Sequence, residues 1–314
     1  MNDTTNLIAE SAEKMFSDLV NKAVLDKAEE GVFADEIWRA ICANGFDQLG
    51  VTGSGTGLAD LFHVLVVAGK HALPLPLAEA CLVNRWLGSN EVFGSIGCVE
   101  ASQIVDVPWG RQASVIIGIA PEGLVRNKGK NARAGVNLAG EARDSVELDA
   151  QESVACIDDP FALLTLSRVC LMAGAMQTVL DLTLRFAQER EQFGRPISKF
   201  QVIQHQLAVI AAEFAASLKA ADAAVEALGT DRFITDLAIA KARIGEAVGV
   251  VNELAHQIHG AMGYTHEHQL HHFTRRLWAW REEYGDEIYW QTRLGAIVVE
   301  QGGDGAWDYL ATSR

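Results

Sequence analysis

The chain has 314 residues, 49% hydrophobic and 21% charged, with a net charge of −15. That length and apolar fraction give enough material for a large core in two or three domains and exclude a disordered chain. The acidic balance excludes a nucleic-acid surface, which needs basic patches.

The start, Met1-Asn-Asp-Thr-Thr5, has no basic or apolar leader, so no signal peptide is evident. No apolar run approaches the roughly 20 residues a bilayer requires, so no membrane span is expected. The five cysteines (Cys42, Cys81, Cys98, Cys156, Cys170) are scattered and without a CxxC pair. They read as free thiols of a reducing cytoplasm and as small buried packing residues.

Residues 6–95 read as helical. Phe33–Ile41 has amphipathic spacing, Val51–Gly57 is a Gly-rich turn, and a helix follows near Leu58–His71. The turn has no Lys-Ser/Thr ending and follows no clear strand, so it is a linker rather than a phosphate loop. The two prolines in His71–Glu79 break one helix and start another. Near residue 100 the texture changes. Ile104–Pro108, Ser114–Ala120 and Ser145–Asp149 are short strand-like runs, enough for a small, mostly antiparallel β unit. Trp109 reads as a packing residue. From Asp159, a plausible N-cap with Pro160 at the first helical position, the chain returns to helix. One helix repeats apolar residues at Ile203, Leu207, Ile210, Phe214 and Leu218; another does so at Leu237, Ile244, Val248, Val251, Ala255 and Ile258. These stripes suit a helical bundle.

Arg190-Glu-Gln-Phe-Gly-Arg-Pro-Ile-Ser-Lys-Phe-Gln201 joins two of these helices. A guanidinium is the preferred bidentate partner of phosphate, Gly194 permits a tight turn, and Pro196 forbids helix. Ser198 and Gln201 fit a capping box that opens a helix N-terminus toward an anion. Spacing alone fits either such a clamp or an ordinary helix connector with solvated arginines.

The stretch resembles the Arg-x-x-Phe-Gly-x-x-(Ile/Leu)-x-x-x-Gln signature of acyl-CoA dehydrogenases. Gln257-Ile-His-Gly-Ala-Met-Gly-Tyr264 is similar to the same family's Gln-x-x-Gly-Gly-x-Gly-(Phe/Tyr) segment. The resemblance implies a mainly α fold with a small β domain: an N-terminal helical domain (1–98), a shortened middle β domain (99–158) and a C-terminal four-helix bundle (159–314). It implies FAD as cofactor. Arg190, Gln192, Phe193, Ile197, Gln201, Gln257, Ile258 and Gly260 are then the residues that grip the ADP half of a flavin carried by a neighbouring subunit.

Two family features are missing. The middle region lacks the Thr-Glu-Pro-type and Trp-x-(Thr/Ser) loops that hold the isoalloxazine ring. The two family positions of the catalytic Glu are here Tyr284 and Ser167. Glu283 could reach the site by a one-residue shift; otherwise Glu282, Glu283 and Asp286 form a solvated helix end. A tyrosine, with a reference pKa near 10, makes a poorer base. Loss of what a subunit supplies to its own flavin, with retention of what it lends to its neighbour, resembles the shorter subunit of the α2β2 acyl-CoA dehydrogenases of bacterial steroid side-chain breakdown. The implied partners are an acyl-CoA substrate, a longer acyl-CoA dehydrogenase subunit carrying the base, and electron-transfer flavoprotein or a similar acceptor, in the cytoplasm. The alternatives are a self-sufficient dehydrogenase using Glu283, a short- or branched-chain substrate, or a flavin-free scaffold.

Six of the nine histidines lie between His256 and His272. His268 and His272 have the i, i+4 spacing of zinc ligands, but no HExxH fixes a third, and no metal is expected. Arg275, Arg276 and Arg281, interleaved with Trp278 and Trp280, suit a salt-bridged amphipathic helix or a phosphate contact.

Overall fold

The computed structural model describes residues 3–88, 93–129, 131–148 and 152–311. They fall into two compact units, Met1–Ser167 and Arg168–Arg314.

The first unit opens with α1 (Asp3–Leu19), α2 (Lys22–Glu29), α3 (Asp35–Ala43), α4 (Leu58–Lys70) and α5 (Leu77–Leu87). Local chemistry sets their ends. Asn21 accepts a hydrogen bond from Val24 N at the start of α2, and Asp60 accepts one from Gly57 N at the start of α4. Pro74 and Pro76 separate α4 from α5, which ends on Gly88 with φ 59°. The helical reading to residue 95 ran too far: α5 stops at Leu87 and a strand begins at Gly94. Gly94 passes so close to α5 that a Cβ there would lie 2.3 Å from Val83 Cγ1. Glycine at that crossing hid the strand's alternation.

Seven strands follow: β1 (Gly94–Glu100), β2 (Gln103–Val107), β3 (Val115–Ala120), β4 (Gly123–Asn127), β5 (Ala132–Arg133), β6 (Asp144–Glu147) and β7 (Glu152–Val154). Their order is β5-β6-β2-β1-β3-β4-β7, antiparallel except for β1 with β3. Ile104, Val107, Ile116 and Val146 pack as one buried cluster. The strand expected at Ser145–Asp149 is β6; Asp149 itself lies outside the described residues. Trp109 packs as expected, buried edge-on to Phe33 with Nε1 donating to Pro74 O at 3.0 Å.

α6 (Pro160–Glu189) begins under an Asp159 cap, Ala162 N donating to Asp159 Oδ1 at 3.0 Å. Contrary to expectation, its length and apolar composition suffice to cross a membrane, but 78% of the apolar window is buried in the protein, as in a core helix. The second unit adds a hairpin of β8 (Glu191–Gln192) and β9 (Arg195–Pro196), then α7 (Gln201–Glu226), α8 (Phe233–His259), α9 (Leu270–Glu282) and α10 (Glu287–Ala311), the last interrupted at Gly302. α8 packs against α7, α9 and α10. Every residue of its expected stripe is buried, from Leu237 to Ile258. On α7 the inner face runs through Leu207, Ile210, Ser217, Ala221 and Val225, leaving Phe214 and Leu218 half-buried.

The cysteines are free. Cys81 and Cys170 are buried, but Cys42 is exposed, against expectation. Burial raises every one of these thiols, Cys42 to about 11, away from nucleophilic use.

Candidate functional site

The connector between α6 and α7 is a tight β-hairpin. Gln192 pairs with Arg195, so the loop has only two residues, Phe193 and Gly194. Both have positive φ, 51° and 77°, as a type I′ turn demands. Glycine adopts that backbone freely; phenylalanine does so at a cost of about 1–3 kcal/mol. Phe193 is also 92% exposed. Its ring meets only the edge of Phe200 among the described aromatic contacts, with centroids 6.1 Å apart.

The base of the hairpin is firm. Ile197 N donates to Arg190 O at 2.8 Å, and the Ile197 side chain is buried. Arg195 lies over the Phe200 ring, 4.3 Å from its centroid, while Arg190 and Gln192 are exposed. The Ser198–Gln201 capping box does not form. Ser198 sits inside a 3₁₀ turn, Ile197–Lys199, and α7 starts after Phe200 with no side-chain cap. Ser198 instead contributes its carbonyl, which accepts from Gln204 Nε2 at 3.0 Å.

Beside the hairpin is a cavity of about 490 Å³. Its lining brings together Gln192, Phe193, Ile197, Gln201, Gln257 and Ile258, residues from the hairpin, the start of α7 and the last turn of α8. Arg190 and Gly260 do not line it. Gly260 ends α8 with φ 58°, its N–H donating to His256 O. Phe200, Val202 and Ile203 line the cavity too, unforeseen; only their nearness to the motif could have signalled them. The result is a concave apolar surface with three glutamine side chains around it and an exposed guanidinium close by in sequence.

The positions where the resemblance puts a catalytic Glu are occupied otherwise. Ser167 is fully buried, its hydroxyl donating to Leu164 O at 2.6 Å within α6. Tyr284 has φ 57°; its carbonyl accepts from Trp290 Nε1 at 2.9 Å, and the Arg168 guanidinium covers its ring at 5.1 Å. Glu283 is not part of a solvated helix end. The buried Arg168 donates to it at 2.5 Å, a charge-assisted contact that fixes its carboxylate. Glu282 remains exposed, and Asp286 accepts from Tyr289 N as the cap of α10.

Lys241, 1% exposed, completes this cluster by donating to Arg281 O and Gly285 O, each at 2.6 Å. Burial pushes its pKa down to about 7, against the opposing pull of Glu283. The sequence carried a signal for it: a lysine midway between Leu237 and Ile244 on an apolar stripe needs a buried partner.

The histidines serve packing. His259 stacks on Phe186 at 4.4 Å and burial holds it at about 4; His272 is fully buried; His268 accepts from Leu270 N. Among the described residues no group of His, Cys, Asp or Glu is placed to hold a metal ion. Arg276 and Trp280 are buried, and Arg281 pairs with Glu287 across the α9–α10 turn.

Helices flanking a small sheet, followed by a helical bundle, make up the acyl-CoA dehydrogenase fold. The chain superposes on the ChsE4–ChsE5 complex of Mycobacterium tuberculosis with a TM-score of 0.80 at 17% identity, covering 96% of this chain and 98% of that one. It superposes on the Tcur3481–Tcur3483 steroid ACAD with a TM-score of 0.82 at 20% identity, covering 95% and 98%. Residues 161–286 match the acyl-CoA dehydrogenase C-terminal domain. Acyl-CoA dehydrogenase IpdE2 of M. tuberculosis is 25% identical over 271 residues, 79% of this chain and 82% of that protein. Residues 161–286 are an acyl-CoA dehydrogenase C-terminal domain, and the chain as a whole has the acyl-CoA dehydrogenase fold.

Proposed function

We propose that this chain is the non-base-bearing subunit of a heteromeric, FAD-dependent acyl-CoA dehydrogenase. It holds the ADP half of the flavin, while a longer partner subunit holds the ring and provides the catalytic Glu. FAD supplies a hydride acceptor when bound. The hairpin cavity suits the nucleotide half: a concave apolar surface for a base or ribose, amides from Gln192, Gln201 and Gln257 for their polar edges, and Arg190 for the pyrophosphate. Gly260, left-handed at the end of α8, leaves the backbone open to close approach. The domain division at 98 and 158, a cytoplasmic setting and electron-transfer flavoprotein as acceptor belong to the same reading.

One observation carries it. The surface that would serve a neighbour's flavin is built and exposed, with Phe193 strained outward, whereas the family's own-site positions are filled by Ser167, Tyr284 and the Arg168–Glu283 pair. A chain evolved to work alone has no use for that asymmetry. The steroid side-chain CoA thioester is favoured as substrate because a steroid ACAD and the ChsE4–ChsE5 complex, both pairs of chains by title, share the fold over nearly the whole length.

The test is expression alone and together with a longer acyl-CoA dehydrogenase subunit from the same genome. Alone, the chain should be colourless and inactive; together, the complex should be yellow and oxidise a steroid side-chain CoA thioester. A yellow, active homo-oligomer overturns the reading.

A further inference from the structure

We propose that the turn between α9 and α10, residues 283–286, is a proton-coupled hinge. It closes over Lys241 as a neutral amine and opens when that amine becomes an ammonium.

The turn is tight and strained. Tyr284 and Gly285 both have positive φ, 57° and 88°, a backbone that a tyrosine adopts only at a cost. A Cβ on Gly285 would lie 2.6 Å from Tyr289 Cδ1, so the chain doubles back there with no room to spare. Trp290 Nε1 reaches back to Tyr284 O at 2.9 Å and ties the start of α10 to the turn.

Lys241 spans this turn from α8. Its Nζ donates at 2.6 Å to Arg281 O, in the last turn of α9, and at 2.6 Å to Gly285 O beyond it. Neither acceptor is a carboxylate. Of the charged groups around it, Glu283 is committed to Arg168 of α6 and Arg281 pairs with Glu287 of α10. Glu282 and Asp286 act on it through charge alone. A buried ammonium so placed has no bonded counter-ion. Burial outweighs the pull of Glu283 and lowers its pKa from 10.5 to about 7, with Arg168 adding to the fall.

Opening carries the amine on its flexible stem into water, where it regains an ordinary affinity for the proton. Between pH 7 and 10.5 the open turn therefore binds a proton that the closed turn does not. The open fraction grows as pH falls through that window and levels off below it. α8 is a continuous helix of 27 residues, so the short turn yields first. Its opening releases buried Trp290 from Tyr284 and lets the start of α10, with exposed Ile288 and Tyr289, tilt. No residue of the hinge lines the hairpin cavity, so its test stands apart from that of the flavin clamp.

Hydrogen exchange of the full-length chain is followed by mass spectrometry from pH 6 to 9, with each rate divided by the intrinsic rate at that pH. For peptides covering 282–291 the open fraction should fall about fivefold to tenfold per unit from pH 7 to 9, and change less than about twofold between pH 6 and 7. Peptides covering 244–251 of α8 should open far less often. Lys241→Met should abolish the dependence. Glu283→Gln, which removes a charge that favours the ammonium, should move the level region to lower pH. Circular dichroism checks both folds; should Lys241→Met not fold, the native profile and Glu283→Gln decide. An open fraction in 282–291 that ignores pH, a dependence that survives Lys241→Met, or an identical profile in 244–251, as in global unfolding, overturns the proposal.

Discussion

Glu283 and Lys241 show how burial reassigns a side chain. A carboxylate beside the family base position invites a catalytic reading, yet Arg168 holds it at 2.5 Å and uses it as a counter-ion. Glu283→Gln in the assembled enzyme should therefore change turnover less than tenfold, whereas loss of a true general base costs about 10²–10⁴-fold. Steady-state kinetics with flavin content measured in parallel decide it. Lys241 makes a pH prediction. Its folded pKa, about 7, lies below the unfolded value of 10.5, so the unfolded chain binds the extra proton between those limits. Stability from this group should rise with pH across that window and show no such slope below it. Denaturant titrations at pH 6, 7.5 and 9 should show the rise, and Lys241→Met should flatten it.

At the scale of elements, the hairpin couples local strain to recognition. Asn-Gly is the pair a type I′ turn favours, so Phe193→Asn relieves the backbone. Thermal denaturation should show stability unchanged or raised by up to about 1–2 kcal/mol, while flavin retention by the complex falls. Loss of stability together with flavin would make Phe193 a packing residue. The elements also show where sequence patterns speak. The α8 stripe was legible because six apolar residues at helical spacing admit one burial pattern, and α6 because Asp159-Pro160 caps it. β1 and β4 were not, because glycines at 94, 97 and 123 replace side chains whose alternation announces a strand. In the site, the motif residues that line the hairpin cavity were named in advance. The 3₁₀ turn at Ile197–Lys199 was not, since buried Ile197 and the stacked Phe200 decide it, and neither contact is local pattern.

For the whole molecule, the net charge of −15 and the exposed apolar residues of the second unit pull in opposite directions. The charge keeps the protein dispersed. Phe193, Ile288, Val299 and Trp307 are each more than 60% exposed and need a cover. If the flavin clamp works as proposed, Phe193 is sheltered only when the counterpart chain is present. Copies made in excess would then carry an uncovered aromatic prong, open to self-association and to proteolytic clearance. On that reading, the geometry of one two-residue turn would tie the cell's supply of this polypeptide to that of its companion, a matter of matched synthesis more than of catalysis.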